Sequence, residues 1–235
     1  MEMNDISKIV KVINMYGASQ IKRLKYNYTL PAVMNAVVRI GKSRYSGFVI
    51  DEDNRFAYEN AVKWLMGDPT MQAINCVTGE VTQGRLDAGL YIAGNTGTGK
   101  TWLLNILSTL SSVCGIEYFD GCEKAKLRWE NYRCDEMCAY YALNGGYLKY
   151  TKSKIVCFHD LGSEPTESCY MGNKCNVLRR VLESRGDNYT AITHFSSNYP
   201  INHEIIKQHY GDRAYSRLLG MCNYLTMRGA DRRIR

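Results

Sequence analysis

The residues most able to do chemistry form one short run, Gly94-Asn95-Thr96-Gly97-Thr98-Gly99-Lys100-Thr101, which satisfies the pattern G-x-x-x-x-G-K-[ST]. Glycines at these positions allow the backbone to turn successive N–H groups onto phosphate oxygens. A helix that follows adds its positive N-terminal end. Lys100 is then placed to bridge the β- and γ-phosphates, and the Thr101 hydroxyl to ligate Mg²⁺. A bare glycine-rich turn is the competing reading. The context argues against it, since an apolar strand (Gly89 to Gly94) precedes the run and an apolar helix (Trp102 to Val113) follows. The expected ligand is a nucleoside triphosphate with Mg²⁺.

Further along the chain lie the groups such a site needs. An apolar stretch, Lys154 to Phe158, ends in His159-Asp160-Leu161-Gly162-Ser163-Glu164, and an acid at such a strand end would hold the Mg²⁺ shell. A later strand, Thr190 to Phe195, runs into Ser196-Ser197-Asn198-Tyr199-Pro200, where Asn198 could orient an attacking water. Arg213 and Arg217, four apart, share one helical face, and Arg232-Arg233 follow the last predicted strand.

These residues need a scaffold, and the pattern predicts one. Strands at 89–94, 116–119, 154–158, 190–195 and 223–227 alternate with helices at 102–113, 122–142, 173–185 and 201–219. That alternation predicts an α/β fold with a mostly parallel sheet covered by helices. Asn54 to Met66 adds an earlier helix, stopped by Gly67-Asp68-Pro69. The chain has 235 residues, 45% of them hydrophobic, with a net charge of +7. Disordered and low-complexity classes are excluded, and no apolar run is long enough to span a bilayer, so a cytoplasmic protein is expected. The charge is uneven: +6 over residues 1–50, +4 over 201–235 and −3 between. Basic ends point to an anionic partner, or simply to a solvated surface. The expected division is an N-terminal basic appendage, 1–50, and a nucleotide-binding domain, 51–235.

Taken together, the ordered motifs resemble the AAA+ ATPases of the DnaC/DnaI helicase-loader type, with the IstB transposition helpers as relatives. The resemblance covers about residues 54–235. It rests on the phosphate loop, Asp160-Leu161-Gly162-Ser163-Glu164, Ser196-Ser197-Asn198-Tyr199-Pro200, Arg213-Ala214-Tyr215-Ser216-Arg217-Leu218 and Gly229-Ala230-Asp231-Arg232-Arg233. It implies a P-loop three-layer sandwich without a C-terminal lid domain, since the chain ends at Arg235. It also implies ATP hydrolysis, with Asn198 reading the γ-phosphate and Arg217 acting in trans on a neighbouring subunit's nucleotide. Arg233 would contact the subunit's own nucleotide, with Arg232 as the close alternative. A replicative hexameric helicase and single-stranded DNA are the implied partners.

One position departs from that pattern. Two successive acids are usual at the strand end, and here the pair is His159-Asp160. Imidazole is a poor Mg²⁺ ligand. Either Asp160 takes the metal and the general base is missing or moved to Glu164, or hydrolysis is slow. Two other readings therefore stand beside the loader: an IstB-like transposition ATPase, and a nucleotide-gated adaptor with little turnover. Tyr147, Lys149 and Lys152 interleave rings and cations in a way that suits single-stranded DNA, and equally a packed helix with a basic loop. The nine cysteines lack paired zinc spacing and read as buried free thiols.

Overall fold

The computed structural model describes residues 21–233. The N-terminal half holds β1 (Lys22–Arg23), α1 (Leu30–Arg44), α2 (Arg55–Leu65), β2 (Gln72–Ile74), β3 (Val81–Gln83), β4 (Gly89–Ala93) and α3 (Lys100–Cys114). Then come β5 (Glu117–Phe119), β6 (Lys124–Lys126), β7 (Glu130–Arg133), α4 (Cys134–Asn144), α5 (Lys149–Lys152) and β8 (Ile155–Leu161). The chain closes with β9 (Ser168–Tyr170), β10 (Asn173–Cys175), α6 (Val177–Gly186), β11 (Ile192–Ser197), α7 (Glu204–Met221) and β12 (Cys222–Thr226).

Five strands form a parallel sheet in the order β12-β4-β11-β8-β7. β4 and β11 are buried at every position, as strands covered on both faces must be. Side-chain alternation divides them between two cores. Leu90, Ile92, Ile155 and Cys157 face one way and pack with residues of α1, α2 and α3. Tyr91, Ala93, Val156 and Phe158 face the other way and pack with α4, α6 and α7. The result is a helix–sheet–helix sandwich, as the alternation of elements implies.

The strand order matters for chemistry. β11 is inserted between the strand that leads into the phosphate loop and the strand that carries the acid. Asn198, just past the end of β11, is thereby placed between Lys100 and Asp160.

Three sequence expectations are corrected. The Ile116 to Phe119 strand exists as β5, but it belongs to a small antiparallel sheet, β1-β5-β6, rather than to the central one. Residues 122–142 are not one helix: β6 and β7 precede α4. β7 is the edge strand, with three of its four residues exposed, so Glu130-Asn131-Tyr132-Arg133 carries no apolar alternation to betray it. The helix expected from Asn173 begins only at Val177, because Asn173 to Cys175 form a hairpin strand and the Asn176 side chain caps the helix.

Residues 21–50 join the same core: Ile21 and Val37 are buried in it, and Tyr26, Val33 and Met34 pack against it. The first twenty residues of the expected appendage lie outside the described residues. No helix among the described residues is long and apolar enough to cross a membrane. All nine cysteines are free; Cys134, Cys138 and Cys157 are buried as expected of structural thiols, whereas Cys122 and Cys169 are exposed and Cys175 is half-buried, which corrects that expectation for those three.

One buried group gives the fold a pH dependence. The His194 ring lies 4.8 Å from both Trp64 and Trp129, is fully buried, and accepts the Leu90 N–H at Nδ1. Burial pushes its pKa down from 6.5 to about 3, with Arg23 and Arg185 adding to the effect. The unfolded chain therefore binds a proton that the folded one refuses. This contribution to stability is intact above about pH 6.5 and is lost as pH falls toward 3, at ~1.4 kcal/mol per pH unit. Urea unfolding between pH 7 and 4 should show this slope, and His194→Gln should flatten it. An unchanged slope would contradict the assignment.

Candidate functional site

The phosphate loop leaves β4 at Gly94, where the sheet allows no side chain. A Cβ there would lie 2.3 Å from the Met227 carbonyl oxygen, in the segment just beyond β12. Gly94→Ala should therefore force β4 and β12 apart, lowering stability by ~1–3 kcal/mol and weakening nucleotide binding. A melting temperature equal to wild type would refute this. Gly97 (φ +80°) and Gly99 (φ +98°) occupy the left-handed region, and Gly99 is the N-cap of α3. Thr98 is buried and donates its hydroxyl to the Asn95 carbonyl, 2.9 Å away, holding the loop in shape.

Lys100 is folded back over this loop. Its Nζ donates to the carbonyl oxygens of Gly94 (2.7 Å) and Asn95 (2.8 Å) and to Asn198 Oδ1 (2.8 Å). Burial pushes the ammonium down to about 8, opposed by the Asp160 charge and reinforced by Arg233.

Asp160 owes its position to a bulge. Pairing between β11 and β8 shifts register between Phe195 and Ser197, and Asp160 takes φ +60°, which a side chain rarely adopts. Its carboxylate lines a cleft of about 490 Å³ together with Thr96, Lys100, Thr101, Asn198 and Arg233. The sequence-based candidates Lys100, Thr101, Asp160, Asn198 and Arg233 thus converge. Thr101 and Asp160 supply hard oxygen donors on one cleft, a set that fits Mg²⁺, which takes one or two protein oxygens and completes its shell with phosphates and water. No group of three or more His, Cys, Asp or Glu among the described residues holds a metal by itself.

His159 points elsewhere. It is buried, with Nε2 3.0 Å from Asn131 Oδ1 and Nδ1 3.2 Å from the Ser196 hydroxyl, and burial lowers its pKa. Glu164 does not serve as the displaced base. It is buried away from the cleft, where it accepts the Tyr210 hydroxyl and the Gly162 N–H and lies 3.4 Å from His209.

The arginines separate clearly. Arg233 lines the phosphate cleft and is paired with Asp231 (3.0 Å). Arg232 turns away and grips Asp51 with both nitrogens, at 2.7 and 2.8 Å. Arg217 stands at the far end of the sheet, in a depression lined by Ala88 and Ala191, which precede β4 and β11. There its Nε bonds Asp187 at 2.7 Å, and Arg213 lies 3.9 Å from the same carboxylate. The five residues of β4 alone, about 17 Å long, separate that end from the phosphate loop.

Two features of the site were not visible in the sequence reading. Arg133, at the end of β7, lines the phosphate cleft with its Nη1 3.6 Å from Asp160, while Asp135 holds the rest of its guanidinium. It was hidden inside the supposed helix. The second is an apolar cleft of about 280 Å³ lined by Tyr45, Phe48, Val49, Tyr58 and Trp102. It shares Gly97, Gly99, Trp102 and Arg233 with the phosphate cleft, so the two adjoin.

The tyrosine–lysine segment is largely committed to itself. Lys149 Nζ sits 3.2 Å from the centre of the Tyr140 ring and 4.9 Å from that of Tyr150. Tyr150 is buried, Tyr147 half-buried and Lys152 exposed.

No model of a known protein family matches the chain, and no curated protein matches it. Solved structures do. A candidate primosome component from Streptococcus pyogenes serotype M3 aligns over 78% of this chain and 84% of its own, at 16% identity and a TM-score of 0.52. The DnaC helicase loader aligns over 81% of this chain and 98% of its own, at 15% identity and a TM-score of 0.50. DnaI aligns over 78% and 89%, at 16% identity and a TM-score of 0.50. The chain shares the fold of the DnaC helicase loader and of DnaI, with its phosphate loop, acid and polar strand end arranged as described.

Proposed function

We propose that the protein binds ATP–Mg²⁺ and works in DNA replication as a helicase loader. The observation that carries this reading is the convergence of Lys100, Thr101, Asp160 and Asn198 on one cleft that adjoins an apolar one. Phosphates in the first and the base in the second is the arrangement a nucleoside triphosphate requires. The replication role is supported by the shared fold with the DnaC helicase loader and DnaI. The implied partners are a replicative hexameric helicase, single-stranded DNA met in part by Lys152, and further copies of the chain through Arg217. Binding to an immobilised hexameric helicase, with and without ATP, tests the loader role. No retention in either state would refute it.

Within the site the roles divide by position. Lys100 neutralises the β- and γ-phosphates, Asn198 lies beside the transferred group, and Asp160 is the carboxylate that lines the cleft among the described residues, available to a metal or a water. Mg²⁺, when bound, supplies charge neutralisation between the phosphates. Asp160→Asn should lower steady-state ATP hydrolysis about 100-fold while changing ATP affinity less than about threefold. Equal losses in both would make Asp160 a binding residue only.

A nucleotide-gated adaptor is the second reading, favoured by the burial of His159 and the attachment of Arg133 to Asp160. Measured turnover with and without single-stranded DNA separates the two. ATP affinity without turnover, unchanged by His159→Asp, favours the adaptor.

A further inference from the structure

The C-terminal segment, residues 228–233, is fastened to the 45–54 segment at several points. The Arg228 N–H donates to the Asp53 carbonyl (2.9 Å), and the Tyr45 hydroxyl donates to the Arg232 carbonyl (3.4 Å). The Arg232 N–H donates to the Gly97 carbonyl of the phosphate loop (3.0 Å). At the centre stands the two-pronged Asp51–Arg232 pair, with side chains 33% and 14% exposed. Arg232 is therefore a hub between three strips of chain distant in sequence. The apolar cleft is made of those three strips plus Trp102, at the start of α3, and Tyr58 of α2.

Asp51 is equally well placed. Its carbonyl accepts the N–H groups of Asn54 and Arg55 where α2 begins, and its own N–H donates to Asn54 Oδ1. Asn54 in turn donates to the Val49 carbonyl, on the cleft wall. Asp51 is thus linked through Asn54 to Val49 on the cleft wall. The phosphate cleft is built from other elements: Lys100 and Thr101 begin α3, Asp160 lies in β8 and Asn198 follows β11, and Arg232 meets the loop only through its main-chain N–H to Gly97.

We infer that the Asp51–Arg232 ion pair is a clamp that shapes the base-binding cleft, so that affinity for a nucleoside depends on it and affinity for bare phosphates does not. This rests on reading the phosphate loop as a triphosphate site. Arg232 borders the cleft, but its guanidinium is engaged by Asp51, so the pair acts by positioning the cleft walls. The bidentate geometry is specific to a guanidinium facing a carboxylate, and a lysine at 232 reproduces the charge without the fork.

The test compares calorimetric binding of ATP and of inorganic tripolyphosphate, each with Mg²⁺, to the full chain. The variants are Asp51→Asn, Arg232→Lys, and the exchange Asp51→Arg with Arg232→Asp. Each single variant should weaken ATP binding about tenfold and move tripolyphosphate affinity less than about twofold; the exchange should recover part of the ATP loss. A parallel loss for both ligands would overturn the clamp, as would ATP affinity equal to wild type. If a single variant unfolds, the exchanged pair decides, because restored folding without restored ATP preference also overturns it. Should the wild type bind neither ligand, the triphosphate reading itself fails and the clamp with it. That outcome is distinct from a wild type that binds both and variants that lose both.

Discussion

Lys100→Ala is expected to abolish measurable ATP binding, the largest single loss available at the site. Its ammonium is the one cation among the described residues that bonds both the loop carbonyls and Asn198. The deletion removes a charge-assisted contact to two phosphates, so affinity should fall at least about 100-fold. The substitution is also a controlled one. Lys100 forms no ion pair among the described residues, and its three acceptors are main-chain or amide oxygens. The fold should therefore persist, and circular dichroism should match wild type while calorimetry shows no ATP heat. ATP affinity within threefold of wild type would overturn the phosphate-loop assignment.

Arg217→Ala is expected to act on a different quantity. The side chain lies at the end of the sheet opposite the loop and is held by Asp187, so it has no role in the nucleotide site of its own subunit. ATP binding by the monomer should be unchanged. If Arg217 completes a neighbour's site, hydrolysis that rises with protein concentration should collapse about 1,000-fold. Mixing with Lys100→Ala protein makes the test sharper. Lys100→Ala subunits supply Arg217 without hydrolysing, and should restore turnover to Arg217→Ala subunits that keep a working loop. Failure of mixed subunits to exceed either alone would remove Arg217 from the chemistry. Asp187 then explains how a monomer keeps this cation quiet, since the guanidinium must leave one carboxylate before it meets another charge.

Much of this site was legible in the sequence, and the reasons are physical. The phosphate loop is local: its glycines, lysine and threonine are fixed by main-chain geometry within eight residues. Buried strands such as Gly89–Ala93 and Ile155–Leu161 announce themselves because both faces are apolar. The edge strand Glu130–Arg133 does not, and with it Arg133 was lost from the site. The apolar cleft was beyond reach for another reason. Its walls come from residues 44–58, 97–102 and 232–233, and the Asp51–Arg232 pair spans 181 positions. Pattern reading sees periodicity, not partners that far apart. The choice between Arg232 and Arg233 shows the same limit, since adjacent arginines in one motif are told apart only by Asp51 and Asp231. The His159-Asp160 step was recognised as unusual, but the bulge that turns Asp160 into the cleft and His159 into the core is a property of the β8–β11 register.

The three tryptophans occupy two very different optical environments. Trp64 and Trp129 are sealed beside the His194 ring, where no dissolved quencher reaches them. Trp102 alone borders both clefts and is only partly covered. Acrylamide or iodide therefore extinguishes the emission of one indole and leaves a constant background from the other two. The unlabelled protein carries its own fluorescent gauge of site occupancy, with an internal reference built into the core.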